Sequence, residues 1–193
     1  LEVSVVEGKW AITKEYIQGQ TLAERIKEEP DKAEQYIDRM VDLHIQINSH
    51  SCPLLNRMKE KMTRQIQELD VIDEGIRYEL MTRLDGMPRH LKLCHGDFEP
   101  SNIIVQGDQM YVIDWVHATQ GNASADVART YLLLCLDNPL LADMYMDKFC
   151  QKTDTQKRYV QQWLPIVAAA QLTKKRPQEK ELLMKWVDVC EYQ

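Results

Sequence analysis

The sequence lacks the features that mark membrane, secreted and disulfide-bonded proteins. No apolar run approaches the ~20 residues that a membrane-spanning helix needs, and no signal-peptide pattern opens the chain. The five cysteines are widely spaced, odd in number and free of any CxxC pair, as is typical of unpaired thiols in a reducing cytoplasm. We therefore expect a cytoplasmic protein without a membrane partner.

An excess of positive charge is also absent. The 193 residues carry a formal net charge of −6, so bulk electrostatics do not favour binding to a nucleic-acid backbone. An acidic surface suits a cationic or metal-bound ligand, although this charge is ordinary for a cytosolic protein. With 44% hydrophobic and 28% charged residues, the composition predicts a globular protein of one domain or at most two.

A strand pattern opens the chain. Residues 1–6 and 10–17 alternate between apolar and polar side chains around a turn at Gly8, which predicts a hairpin that ends before Gly19. Two strands alone are marginally stable in water. We therefore expect this hairpin to join a larger sheet or to lie on the following segment.

Helical periodicity follows from Thr21 to about residue 85. Asp31 and Glu34 have the spacing of a capping box, and further helices are predicted over 55–69 and 73–84. An apolar stripe in the first of these regions includes one histidine, which we interpret as a satisfied core residue rather than a ligand. The stripe consists of Tyr36, Ile37, Met40, Val41, His44 and Ile47.

A second strand-rich stretch occupies the middle of the sequence. It predicts a short strand over 91–94 and a hairpin of strands 102–106 and 110–114. After Ser124 the pattern is helical, and Pro139 is predicted to open a helix. In total the pattern predicts two hairpins and about seven helices. Further apolar stripes consist of Val127, Ala128, Tyr131, Leu132 and Cys135, of Trp163, Ile166, Val167 and Ala170, and of Leu182, Leu183, Trp186 and Cys190.

The polar residues that interrupt the second strand-rich stretch have the composition of a reactive loop. His95, Asp97 and Asn102 follow the short strand, and Asp114 ends the hairpin. Amide and carboxylate oxygens are hard ligands that suit Mg²⁺, which takes few protein ligands and is completed by phosphate oxygens. With Asn102 and Asp114 in that role, Asp97 is free to face an acceptor hydroxyl in phosphoryl transfer.

These motifs resemble a known family of small-molecule kinases. "HGDFEPSNIIV", starting at His95, is followed by "YVIDW", which contains Asp114, and by Asp126 in "ASADVAR". The set is similar to the catalytic core of the aminoglycoside phosphotransferase and choline kinase-like family, relatives of protein kinases. Gly96, where protein kinases carry Arg, is typical of the small-molecule branch. The resemblance implies an α+β fold: a kinase-like C-terminal helical lobe with a catalytic hairpin.

The resemblance also implies a role for each matching residue. Asp97 would be the catalytic aspartate, and Asn102 and Asp114 would hold Mg²⁺. His95 would be a structural support of the loop. Asp126 would accept hydrogen bonds from the catalytic-loop backbone and would not itself be catalytic.

Towards the N-terminus, "WAITKEYIQGQTL" looks like the strand that links the two kinase lobes. In the family the backbone at the positions of Glu15, Tyr16 and Ile17 holds the adenine of the nucleotide. Gly19 would let the chain turn into the helical lobe.

The implied domain division has two parts. Residues 1–19 would be a strand remnant of the N-terminal lobe with the linker. Residues 20–193 would form the helical lobe, with a catalytic loop at 95–102 and a metal-binding hairpin end at Asp114. The helix that contains Arg129 would be the central buried helix of this lobe.

Some positions depart from the family pattern. Glu99 and Ser101 stand where the family often has His and Gly, so the loop carries an additional acid. Val116 and His117 stand near a position that is commonly acidic, and "GNA" at 121–123 replaces a common "GDP". These changes leave the predicted metal ligands unchanged and affect the expected acceptor geometry.

The kinase signatures that normally precede the linker have no match here. A phosphate-covering loop, a strand lysine and a helix glutamate are required, yet only a hairpin precedes the linker, and Lys9 in its turn is not assigned to this role. The chain begins with Leu1 inside a strand. We therefore expect a fragment of a longer protein that transfers phosphate poorly by itself.

The predicted function is a small-molecule O-phosphotransferase that uses Mg²⁺ and ATP or GTP. Relatives act on aminoglycosides, choline, amino-acid alcohols or sugars, so antibiotic resistance is one possible role. The alternatives are a pseudokinase-like nucleotide-binding or scaffold module and, more weakly, a Mg²⁺-dependent hydrolase. Acids near the C-terminus form either a cleft for a cationic acceptor or a solvated face; these are Asp143, Asp147, Asp188 and Glu191.

Overall fold

A computed structural model describes residues 2–188. The strands are β1 (Glu2–Val6), β2 (Lys9–Thr13), β3 (Gln20–Thr21), β4 (Lys92–Cys94), β5 (Ile103–Gln106), β6 (Gln109–Val112) and β7 (Thr119–Gly121). The α-helices are α1 (Leu22–Glu28), α2 (Ala33–Ser49), α3 (Met58–Gln67), α4 (Glu74–Gly86), α5 (Ala123–Asp137), α6 (Pro139–Thr153), α7 (Lys157–Gln161), α8 (Leu164–Leu172) and α9 (Pro177–Val187). The predicted hairpins are thus present, and the described residues form nine α-helices rather than about seven.

The core lies among α2, α5, α6 and α8, which pack against one another in pairs. Every residue of α8 is buried and all but Gln171 are apolar, so this helix is not amphipathic. Pro165 lies in its first turn, where a missing N–H breaks no helical hydrogen bond. The predicted stripe from Trp163 to Ala170 is therefore confirmed as core. Cys190, in the last predicted stripe, lies outside the described residues.

Three small antiparallel sheets surround this helical core. One joins β3, β5 and β6, a second joins β4 and β7, and the third is the hairpin of β1 and β2. The β4–β7 pair was not predicted, because Thr119–Gly121 is short and its side chains do not alternate between apolar and polar. All three residues of β7 are nevertheless buried.

The predicted N-terminal hairpin forms, but its expected partner is not found within residues 2–188. In that part of the chain, β1 pairs only with β2. Val3, Val5, Trp10 and Ile12 are 58–79% exposed, so the apolar face of the hairpin does not lie on the helical lobe. The prediction that it joins a larger sheet or covers the next segment is therefore wrong for the described residues; Leu1 lies outside them.

Two helix starts were predicted correctly and one was not. Asp73 caps α4 by accepting a hydrogen bond from Ile76 N at 2.8 Å, and Pro139 occupies the first position of α6. The capping box predicted at Asp31 is absent, because Asp31 lies in a 3-10 turn that precedes α2. The capping box forms instead at Thr21 and Glu24, at the start of α1.

No helix within residues 2–188 combines the length and apolar character needed to cross a bilayer.

Gly19 sets the approach of the N-terminal segment to the helical lobe. β3 pairs with β5 through Gln20 and Val105, and a Cβ at Gly19 would clash with the main-chain oxygen of Val105. We expect Gly19→Ala to lower the free energy of unfolding by roughly 1–3 kcal/mol, the usual effect of overpacking. Urea denaturation measures this change.

Gly86→Ala is the matched control for this experiment. Gly86 is the last residue of α4, and a Cβ there would meet nothing within 4 Å. Because Ala is a better helix former than Gly, this variant should be as stable as the wild type or more stable. Equal denaturation midpoints for the two variants would contradict the close approach at Gly19.

Candidate active site

The loop that begins at His95 is held by one buried carboxylate. Asp126 lies in the first turn of α5 and is 1% exposed. Its Oδ2 accepts a hydrogen bond from His95 N at 2.7 Å, and its Oδ1 accepts one from Gly96 N at 2.8 Å. A single side chain therefore fixes two consecutive peptide groups, which is the contact that the resemblance implied.

His44 and Tyr145 support this carboxylate from behind. Nε2 of His44 lies 2.9 Å from Oδ2 of Asp126, and its Nδ1 contacts the Tyr145 hydroxyl. All three side chains are buried. Burial alone would raise the pKa of Asp126, but His44 and the two backbone N–H groups outweigh burial and lower it. His44 is thus a satisfied core histidine, as predicted.

The neutral side chain of His95 connects the loop to the end of the β5–β6 hairpin through two hydrogen bonds. Its Nε2 lies 3.0 Å from the main-chain oxygen of Ile113, and its Nδ1 lies 3.3 Å from the main-chain nitrogen of Asp97. A carbonyl oxygen accepts and a backbone N–H donates, so one proton, on Nε2, satisfies both contacts. Burial lowers the pKa of His95, which favours the same neutral form.

Gly96 gives the loop a conformation that other residues adopt with strain. Its φ is +79°, and a Cβ at this position would lie 2.5 Å from the main-chain oxygen of His117. Glycine is therefore required both by the left-handed backbone and by the close approach of the neighbouring loop. The turn at Gly96 places Asp97 directly after the segment that Asp126 holds.

The carboxylate of Asp97 is paired with two cations. Its Oδ1 lies 3.2 Å from Arg129 Nη2 and 3.3 Å from Lys174 Nζ. Burial alone would raise the pKa of Asp97, but these cations outweigh it and hold the pKa below its ordinary value. Asp97 therefore stays ionised and accepts hydrogen bonds.

Arg129 connects this carboxylate to the C-terminal helices. Its Nε donates to the main-chain oxygen of Gly96, and its Nη2 also donates to Gln171 Oε1 at 2.9 Å. Gln171 in turn donates to Glu179 at 2.7 Å. The loop is thus tied to α5 by its N–H groups and to α8 and α9 through Arg129.

The two chain segments that carry the predicted metal ligands pair at the base of the β5–β6 hairpin. The Asn102 side-chain amide donates to the main-chain oxygen of Asp97 at 2.8 Å, which leaves its Oδ1 as the oxygen for a cation. The main-chain oxygen of Asn102 accepts from Ile113 N at 3.0 Å, so the neighbouring Asp114 lies beside it in the structure.

Asp114 itself is exposed and has a left-handed backbone, with φ 61° and ψ 60°. Within residues 2–188 no three His, Cys, Asp or Glu side chains group as a metal site. One carboxylate and one amide nevertheless fit Mg²⁺, which is bound through few protein oxygens together with phosphate. The donor set therefore suits Mg²⁺ rather than a metal that needs several nitrogen or sulfur ligands.

The predicted adenine-binding residues lie between β2 and β3. Glu15 and Tyr16 are exposed, and Ile17 is half-buried. Because β3 pairs with β5, this segment joins the sheet whose hairpin ends near Asn102 and Asp114. The predicted linker therefore leads directly into the sheet that contains the β5–β6 hairpin.

The sequence pattern did not identify the cations that surround Asp97. Arg129 was placed only on the helix after Asp126, although the three-residue spacing puts both on one helix face. Lys174 lies 77 residues from Asp97 in the sequence, so no local signal marks it. Lys61, whose Nζ donates to the main-chain oxygen of His117 at 3.3 Å, was also missed.

The departures from the family pattern are accommodated locally. Asn122, in "GNA", caps α5 by accepting from Ser124 N at 2.9 Å, a role that Asn and Asp fill equally well. Glu99 and Ser101 line a cavity of about 240 Å³ between α1 and α5. Burial raises the pKa of Glu99, and the charge of Asp97 adds to this effect.

The C-terminal acids are partly engaged with other residues. Asp143 accepts from the Tyr131 hydroxyl at 3.2 Å, and Asp147 pairs with Lys157 at 2.7 Å. Glu191 lies outside the described residues. Asp143 and Asp147 thus have partners on the helix surface.

Comparison with known proteins identifies the family. The sequence profile of the phosphotransferase enzyme family, APH, matches residues 6–160. No curated protein matches the sequence significantly.

Solved structures share the fold at low sequence identity. A choline kinase, LicA from Streptococcus pneumoniae, has a TM-score of 0.60 and 15% identity, covering 82% of this chain and 64% of its own. Another is a thermostable mutant of aminoglycoside phosphotransferase APH(4)-Ia, solved in a ternary complex with AMP-PNP and hygromycin B. It has a TM-score of 0.65 and 17% identity, and the match covers 97% of this chain and 72% of its own.

Amicoumacin kinase hAmiN, in complex with AMP-PNP, Ca²⁺ and Ami, has a TM-score of 0.59 and 12% identity, covering 90% of this chain and 62% of its own. The chain thus spans 62–72% of the length of these three proteins. The predicted α+β, kinase-like fold is confirmed. The chain belongs to the phosphotransferase enzyme family.

Proposed function

We propose that the protein transfers the γ-phosphate of ATP or GTP to a hydroxyl group of a small molecule, with Mg²⁺ as cofactor. The observation that carries this proposal is the loop held by Asp126. The loop presents Asp97, and its Asn102 binds the backbone beside Asp114. A carboxylate for the acceptor and two oxygen donors for a cation are thus joined on one support.

Asp97 is the catalytic residue in this proposal. The acceptor hydroxyl donates a hydrogen bond to its carboxylate, and the hydroxyl oxygen forms a bond to the γ-phosphorus as the bond from that phosphorus to the β–γ bridging oxygen breaks. The hydroxyl proton passes to Asp97 and then to solvent, and the nucleoside diphosphate leaves. Because the transition state is loose, positioning and charge neutralisation supply most of the acceleration.

Asn102 and Asp114 would hold Mg²⁺ through their side-chain oxygens. When bound, the ion neutralises charge on the phosphate oxygens of the nucleotide. The relative solved with AMP-PNP and Ca²⁺ supports the presence of a nucleotide and a divalent cation in proteins of this fold.

The nucleotide base would be held by the backbone at Glu15, Tyr16 and Ile17. In this proposal, residues 1–19 form the linker side of the nucleotide site. Residues 20–193 form the catalytic and acceptor side. The close approach of Gly19 to the main chain of Val105 supports this arrangement, because it brings the end of the first part against β5 of the second.

We also propose a cytoplasmic location. Four of the five cysteines lie in the described part of the chain, and each of these is unpaired. Free thiols are usual in a reducing compartment such as the cytoplasm. The nucleotide that the proposed reaction consumes is also available there.

The first prediction tests Asp97 in the full-length protein. Asp97→Asn should lower the rate of phosphate transfer by about 10²–10⁴-fold, the usual contribution of a positioned acid–base group. Binding of the Mg²⁺–nucleotide complex should change little, because Asp97 contacts Arg129 and Lys174 rather than the linker. ADP release and nucleotide titration measure the two effects.

Survival of activity in this variant would contradict the assigned role. A wild-type protein that binds nucleotide but phosphorylates no acceptor would favour the non-catalytic, pseudokinase-like alternative. Phosphate release without any acceptor would favour a hydrolase.

The second prediction tests the metal site. Asp114→Asn should raise the Mg²⁺ concentration for half-maximal activity at least about tenfold, because it replaces the only charged ligand of the proposed pair by a neutral amide. Asp108→Asn is the matched control at the opposite, exposed end of the same hairpin. An equal Mg²⁺ requirement in the two variants would exclude Asp114 as a ligand.

The third prediction separates support from catalysis. Asp126→Asn should lower the free energy of unfolding by about 3–5 kcal/mol. The new side-chain NH₂ group would face a backbone N–H of the loop, which is also a donor. The variant also removes the buried negative charge beside His44. Asp143→Asn, on the exposed surface of α6, should change it by less than about 0.5 kcal/mol. Urea denaturation compares them, and a wild-type midpoint for Asp126→Asn would contradict the supporting role.

A further inference from the structure

A small cavity lies against the loop that begins at His95. Its volume is about 130 Å³, and its walls come from α3, α5, α8 and the loops at Gly96 and His117. No residue of the hairpin from Asn102 to Asp114 lines it. Arg129 and Lys174, which line it, pair with Asp97, so the cavity adjoins the carboxylate that would face the acceptor hydroxyl.

Three cations and no carboxylates line this cavity. The cations are Lys61 from α3, Arg129 from α5 and Lys174 from the segment after α8. Asp97 is the carboxylate that pairs with Arg129 and Lys174. Three separate elements thus bring positive charge to one place, and one negative group partly offsets it.

Lys61 carries the uncompensated charge. Within residues 2–188 it pairs with no carboxylate, and its ammonium donates to the main-chain oxygen of His117 at 3.3 Å. The pKa of Lys61 is lowered, first by burial and then by repulsion from Arg129 and Lys174. A half-buried cation without a counter-ion is unfavourable unless a ligand provides one.

No neighbouring acid of the described residues forms an ion pair with Lys61, and the attraction of Asp97 and Asp126 raises its pKa less than burial, Arg129 and Lys174 lower it. Glu99 lines the separate cavity between α1 and α5, and Glu179 is occupied by Arg176 and Gln171. Asp126 is fully engaged by the loop backbone and His44.

We propose that the acceptor carries an oxyanion, a carboxylate or a phosphate ester, which binds in this cavity to Lys61 and Lys174 while a hydroxyl of the same molecule reaches Asp97. This inference rests on the proposed function and specifies its substrate class. The cavity volume of about 130 Å³ suits one anionic group rather than a whole large substrate. An aminoglycoside, which carries several ammonium groups, would place like charges together here.

The kinetic test uses the full-length protein and acceptors matched in carbon skeleton but not in charge. Glycerate, glycerol and 3-amino-1,2-propanediol form one such set, and further sets extend it to larger hydroxy acids, their alcohols and their amines. Within any set whose members are phosphorylated, we expect the anionic member to have the highest kcat/KM in an ADP-release assay. A neutral or cationic member with a higher kcat/KM would overturn the proposal.

Lys61→Met tests the residue itself. It should raise KM for the anionic acceptor about 10- to 100-fold, the usual effect of losing a charge-assisted hydrogen bond, and leave KM for the nucleotide unchanged. Lys175→Met is the matched control, because Lys175 is a 73% exposed neighbour of Lys174 that pairs with Asp70. A change in the nucleotide KM of Lys61→Met would instead assign this charge to the transferred phosphate and contradict the proposal.

A binding experiment separates this proposal from the proposed function. Inorganic phosphate should slow amide hydrogen exchange in α3 and around Gly96 in the wild type and in Lys175→Met, but not in Lys61→Met. This protection without turnover of any acceptor would count against the kinase activity and leave the anion site standing. Turnover of an acceptor without this protection would overturn the anion site alone.

Discussion

The buried carboxylate of Asp126 is the contact on which the candidate site depends. Its two oxygens hold the N–H groups of His95 and Gly96, and His44 keeps it charged in a place where burial would otherwise neutralise it. The two peptide groups that carry the His95 and Gly96 N–H groups are therefore fixed just before Asp97. A buried charged group without partners would destabilise the fold. The helical core around Asp126 therefore depends on its polar contacts, and these contacts depend on the helices that hold Asp126 and His44 in place.

The candidate site consists of short strands and a loop arranged around the carboxylate of Asp126. The β5–β6 hairpin has four-residue strands, and the loop from Gly96 to Asn102 contains only one short 3-10 turn. Its order comes from contacts with helices: Asp126 from α5, Arg129 from the same helix, and Gln171 from α8. Loops of variable chemistry on a rigid support are a common arrangement in enzymes.

The sequence predicted those parts of the site that are close together in the chain. His95, Asp97 and Asn102 lie within one loop, and the hairpin that follows is short, so spacing and alternation identify them. The core role of His44 followed from its apolar stripe. Lys61 and Lys174 were not predictable in this way, because α3 and the segment after α8 meet the loop only in the folded chain. The strand at 119–121 was missed because its buried side chains are polar or absent.

The overall charge of the chain does not describe the charge around the candidate site. A net charge of −6 suits a cationic acceptor if the charges are spread evenly. They are not: the acids of α6 lie at the surface beside Tyr131 and Lys157, whereas Lys61, Arg129 and Lys174 converge near the catalytic loop. A ligand in a narrow cavity responds mainly to charges within several ångströms, because solvent and salt screen the more distant ones. In the proposal of an anionic acceptor, the local excess of cations, rather than the acidic total, determines which acceptor the site selects.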